Sequence, residues 1–143
     1  VGDARRTRLF NVSSSQATLI VRDAGILELL SVDEIGLLLA EAAWRSSHLD
    51  EAKDYLIKTA VGATEDYSIL TENTFEEALL LERQRILMGK GQRVFDLIRF
   101  GKVSNYITEF VPDDVEKGAA YWPLSANSMK GNSWSQNNYW AHP

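Results

Sequence analysis

Cysteine is absent from all 143 residues. That excludes a disulfide scaffold, a thiolate-ligated zinc site and a thiol nucleophile. Histidine is nearly absent: His48 and His142 are the only two. A multi-histidine metal centre is therefore excluded, and a Ser-His-Asp assembly cannot be argued from them. No acidic loop has calcium-ligand spacing. No run approaches the roughly 18 consecutive apolar residues of a membrane-spanning helix. The opening Val1-Gly2-Asp3-Ala4-Arg5-Arg6 lacks a start Met, an apolar signal segment and a lipidation Cys, so a chain cut from something longer is expected. Excess positive charge is also lacking. Lys plus Arg is 15 against 20 for Asp plus Glu, a net charge of −5. A global field for nucleic acid is absent, leaving at most a local basic patch.

What is present fits a folded domain: 45% hydrophobic and 24% charged residues, at a length typical of one domain. No low-complexity segment or linker splits the chain. Residues 1–30 suggest an extended arm or small hairpin, with Leu9-Phe10-Asn11-Val12 and Ala17 to Arg22 as short β-compatible runs. Asn11-Val12-Ser13 matches a glycosylation sequon, a pattern that chance alone supplies.

From Ser31 onward the period becomes helical. Ser31 with Glu34 forms a capping-box pattern. Ile35, Leu38, Leu39 and Ala42 then fall on one stripe, while Leu37 and Trp44 mark a second side. A helix apolar on two sides expects neighbours on both, and an uncovered apolar patch is expected on the Leu37/Trp44 side. A second helix over 49–61 follows a short polar turn and carries Leu49, Ala52, Leu56 and Thr59 on one face, with Gly62 as its stop. The two should pack antiparallel, with Ala43 and Ala52 allowing close approach. Their spacing is that of a tetratricopeptide-like helix pair, and one pair alone cannot bury a continuous core.

Thr74 with Glu77 suggests another capping box, opening a helix over 74–88 whose stripe is Phe75, Leu79, Glu82 and Ile86. Gly89-Lys90-Gly91 breaks it. This triplet follows a helix rather than a strand, so a turn is the better reading than a phosphate loop. A helix over 92–100 is apolar all round (Val94, Phe95, Leu97, Ile98, Phe100), and burial is expected. Val103 to Val111 could form one more helix. Pro112-Asp113-Asp114 is a turn signal. The segment 102–143 reads as an irregular tail, rich in aromatics from Ala119.

Two groups of residues could carry chemistry. Glu82 and Asp96 could act as general acid and base. Several arginines lie nearby in sequence, and a carboxylate on an apolar face usually persists by pairing with a guanidinium. Structural ion pairing of Glu82, Arg93, Asp96 and Arg99 is the favoured reading, the last three being three residues apart on one helix. The same arginines could in principle hold phosphate or RNA, which the acidic total disfavours. Flat faces for sugar rings are the other option. Tyr121, Trp122, Trp134, Tyr139 and Trp140 sit among Asn, Gln and Ser, though aromatics also simply fill cores. Trp134, Tyr139 and Trp140 are the weak ligand candidates, and Trp122 is expected to be less exposed than Trp134 or Trp140.

Taken in order, these pieces resemble a known family. Glu82-Arg83 and Gly91 to Gly101 resemble the "ER … EG-R-x-F-DL-R-W-G" segment of SusD/RagB-type proteins. Tyr121-Trp122-Pro123-Leu124 is similar to its "Y-L-W-P-I-P". Asn132 and Gln136-Asn137-Asn138-Tyr139 are similar to its closing "NP … QNPGY". Glu34 to Ala42 is similar to its "R-L-A-E-V-Y-L-I-Y-A-E-A" helix, and Asp3-Ala4-Arg5-Arg6 to its "D-P-R-R".

The resemblance implies a mainly α fold of tetratricopeptide-like helix pairs, with an irregular, aromatic-rich tail. It implies the C-terminal portion of a longer chain, divided here into 1–30, 31–62, 74–101 and 102–143. It further implies a non-enzymatic, cofactor-free surface lipoprotein of the Bacteroidetes outer membrane, its lipid anchor outside this chain. Such a protein captures an oligosaccharide or other nutrient and acts with a SusC-like TonB-dependent transporter. This segment would supply mainly scaffold and transporter-facing surface, with no nucleic-acid partner. A free-standing helical-repeat interaction module and a small α-helical hydrolase using Glu82 and Asp96 are the alternatives.

Overall fold

The computed structural model describes residues 10–13, 16–19, 29–109 and 111–141. The Asp3-Ala4-Arg5-Arg6 motif, part of the Ala17 to Arg22 run, and His142 lie outside them. Two compact units divide at Lys90/Gly91.

In the first unit, β1 (Phe10–Val12) pairs antiparallel with β2 (Ala17–Leu19), Asn11 opposite Thr18. Helix α1 (Val32–Arg45) starts at Ser31, whose Oγ accepts from the Glu34 N–H at 3.2 Å. Lys90 Nζ donates to the same oxygen at 3.0 Å. Asp33 and Glu34 stand at the positive end of the helix and Arg45 at its negative end, the arrangement its dipole favours. A turn with Ser47 at φ 63° leads into α2 (Leu49–Thr59). The expected span to Val61 is two residues too long. Helix α2 reverses direction against α1: although the helices join at 45–49, Gly36 near the start of α1 faces Thr59 at the end of α2. A Cβ on Gly36 would collide with the Thr59 side chain, so glycine sets how closely the pair can approach.

A 3-10 turn at Tyr67–Ile69 precedes α3 (Glu72–Ile86). The helix begins two residues before the expected Thr74. Thr71 is its N-cap, and Thr74 is the third helical residue, its Oγ1 accepting from the Thr71 N–H at 2.9 Å. Glu77 takes no part in this box; Thr71 is the cap, and Thr74 does the work usually done by Glu or Gln at the third position.

The core of this unit joins Leu37, Ala40, Ala52, Leu56, Phe75, Leu79 and Leu80, all buried. Trp44 lies against Phe75 with ring centroids 5.9 Å apart. The expected uncovered patch is therefore on the wrong side of α1. Leu37 is fully buried, whereas Ile35, Leu38 and Leu39 are 42%, 45% and 43% exposed. The reason is register: α2 and α3 take the Leu37/Ala40/Ala43/Trp44 arc, whose small residues admit neighbouring backbones. The larger aliphatic stripe stays open.

The second unit holds α4 (Arg93–Arg99), α5 (Val103–Tyr106), α6 (Pro112–Lys117) and α7 (Ala126–Met129). Helix α4 matches the expected helix over 92–100, and among the described residues three further short helices occupy the region beyond 102 that was expected to be largely irregular. Pro112 is the first residue of α6 rather than a turn breaker, which suits proline because the first helical N–H has no partner to lose. Helix α4 is not buried all round either: Leu97 and Asp96 face inward, while Val94 and Phe95 are exposed.

Candidate functional site

Glu82 lies on the core stripe of α3 with no exposed surface. Its Oε1 accepts from the Tyr67 hydroxyl at 2.7 Å and from Arg85 Nη1 at 2.8 Å. Arg85 reaches a second carboxylate, with Nη2 2.7 Å from Glu65 Oε1. That hydrogen bond pulls the Glu65 carboxyl down from 4.5 to about 2. Burial, reinforced by the bond to Glu82, pushes the Tyr67 phenol well above its ordinary value of 10. A general acid must touch its substrate, and Glu82 presents no surface from which to do so.

Asp96 belongs to the other unit. It is buried, and its Oδ1 accepts from Arg99 Nε at 2.9 Å and lies 2.9 Å from Arg99 Nη2. Arg99 also lies over the Phe100 ring, 4.4 Å from its centroid. The Arg93 guanidinium lies 4.7 Å from the centroid of Tyr106. Planar cations stacked on rings and forked onto carboxylates are typical of internal bracing. Among the described residues no group of His, Asp and Glu could hold a metal ion, and no helix is long and apolar enough to cross a membrane.

The Gln136 to Trp140 segment folds back on 117–124. The Gln136 amide pairs with the Leu124 backbone, its Oε1 accepting from the N–H at 3.0 Å and its Nε2 donating to the carbonyl. Asn137 Nδ2 donates to Gly118 O at 2.9 Å, and the Tyr139 N–H donates to Lys117 O at 3.0 Å. Gly118 sits at φ 102°, where an added Cβ would strike Asn137. Trp140 Nε1 donates to Tyr121 O at 2.7 Å, and its ring meets Tyr139 edge-on at 4.9 Å. The amides that resembled a sugar's hydrogen-bonding rim are thus engaged with backbone.

Next to this fold-back is a cavity of about 230 Å³, lined by Val94, Ile98, Val103, Ile107, Tyr121, Trp122 and Trp140 among others, all apolar or aromatic. Trp122 is 90% exposed, against 58% for Trp134 and 36% for Trp140, which reverses the expected order. Pro123 and Leu124 fix the backbone at Trp122 but do not cover its ring. Tyr139 is half-buried. The surface can therefore hold a flat or apolar group. Trp122 leads that surface and was not among the ligand candidates, because its neighbours in sequence say nothing about what lies across its ring.

Compared with known families, residues 34–143 match the SusD family. The chain belongs to the SusD family. No curated protein and no solved structure matches it. The SusD assignment accounts for the mainly helical architecture and for the tetratricopeptide-like pair in α1 and α2. Three of the segments that resemble the family's fall on bracing positions here. The E-R pair places Glu82 under Tyr67 and Arg85, the F-D-L segment places Asp96 under Arg99, and the Gln-Asn closing segment pins the SusD tail to Leu124 and Gly118.

Proposed function

We propose that the chain is part of a non-catalytic glycan- or nutrient-binding protein of a SusC/SusD-type outer-membrane uptake system. In this reading the protein lies at the cell surface, held by a lipid anchor, and works with a SusC-like TonB-dependent transporter. This segment contributes mainly helical scaffold and transporter-facing surface, with sugar contacts supplied chiefly by other parts of a longer chain. The supporting observation is that the motif residues Glu82, Asp96, Gln136 and Asn137 are engaged in internal bracing, while large apolar side chains at Leu38, Phe95 and Trp122 stay exposed. Capture requires no acid or base; it requires a flat face and a closing partner. Trp122, Trp134, Tyr139 and Trp140 are the residues in this segment best suited to meet a ligand.

Co-purification from outer membranes tests the partnership. A SusC-like barrel should accompany the tagged full-length protein, and recovery of the protein without any barrel would contradict it. The open Ile35/Leu38/Leu39 stripe favours a second reading, a helical-repeat interaction module without sugar. An adjacent gene for a SusC-like barrel supports the first reading over the second.

A further inference from the structure

The cavity of about 230 Å³ lies wholly within the second unit. Val103 and Ala119 line it and are buried, so they form its floor. Ile98 and Ile107 are half-buried walls. Tyr121 and Trp122 line it and are exposed, so they mark its open side. Trp140 is a further wall, held by its Nε1 on the Tyr121 carbonyl at 2.7 Å.

The lining decides what can enter. Among the described residues none that lines the cavity is charged, so an ionised group would find no counter-charge there. The Ile107, Ala119 and Tyr121 N–H groups are spent on backbone carbonyls, and the Trp140 indole N–H on Tyr121. A sugar pushed inside would lose water from its hydroxyls with these donors already taken. A ring without polar edges loses nothing. An apolar cavity of about 150 Å³ holds a benzene molecule, so this one has room for a single substituted ring. Aromatic walls favour an aromatic guest over an aliphatic one of equal size, because ring pairs gain beyond the area they bury.

We infer that this cavity binds a small molecule through an uncharged aryl ring, seated against Trp122 and Trp140, with its polar attachment left in water at the open side. The inference goes beyond glycan capture and does not depend on it.

Methyl benzoate titrated into the full-length protein, followed by NMR of the tryptophan indole N–H groups, tests this. The Trp140 signal, assigned by its loss in Trp140→Phe, should shift saturably with half-saturation below about 10 mM. The Trp44 signal, from the other unit, should stay in place. Trp122→Ala, at an exposed position, should raise the half-saturation concentration at least about threefold. An unmoved Trp140 signal would overturn the inference. So would an equal shift at Trp44, equally tight binding of methyl cyclohexanecarboxylate, or unchanged affinity in Trp122→Ala. Silence of the same protein toward polysaccharides would count against glycan capture alone.

Discussion

Glu82 and Glu65 show how one guanidinium can serve two carboxylates in different surroundings. Glu82→Gln weakens charge-assisted bonds inside the core and should lower stability by about 1–3 kcal/mol, read from denaturant midpoints. Glu65 provides a pH signature. Its folded carboxyl is held at about 2, below the ordinary 4.5. The group therefore contributes stability above pH 4.5 and loses that contribution as pH falls from 4.5 toward 2. Glu65→Gln should flatten the stability profile over that window. Tyr67 works in the opposite direction. Its folded phenol stays protonated past 10, where the unfolded one ionises, so stability should fall as pH rises beyond 10. In Tyr67→Phe that alkaline loss should shrink. Of these residues, Glu82 and its apolar stripe were legible from the 75/79/82/86 spacing. Tyr67 and Glu65 were not, because they come from a connector with no period to read.

At the scale of elements, close approach and fold-back decide the geometry. Gly36→Ala should destabilise the helix pair even though alanine is the better helix former by about 1 kcal/mol, because the new methyl meets Thr59. Overpacking of this kind costs about 1–3 kcal/mol. Adding Thr59→Ala should restore most of the loss in a double-mutant cycle. Gly118→Ala should loosen the tail, since it strains a left-handed backbone and pushes on Asn137. Loss of near-ultraviolet dichroism from Trp140, with α1 to α3 helicity intact, would register it. The helices themselves were readable from spacing, to within two residues at most ends. The starting residue of α3 was missed because Thr71 and Thr74 satisfy each other without Glu77. The helix over 93–99 was legible, but the three shorter ones beyond 102 were blurred because each is too brief to show a period, and the buried face of α1 was inverted because small residues, not large ones, received the neighbouring helices.

For the whole molecule, membership in the SusD family and the apolar open surfaces point the same way. Polar substitution at Leu38 should leave the denaturation midpoint within about 0.5 kcal/mol of the parent, as for a surface position, while reducing self-association or partner capture in light scattering. A drop of several kcal/mol would mean that the stripe is covered after all. The ordered motifs made the family legible in sequence. The leading role of Trp122 on the aromatic surface was not, because exposure depends on what lies across the ring. The most direct test of the account is calorimetric titration of the full-length protein against a panel of polysaccharides. The account predicts saturable binding heat for at least one of them, returning to a flat baseline. Sustained heat of turnover, or silence across the whole panel, would contradict it.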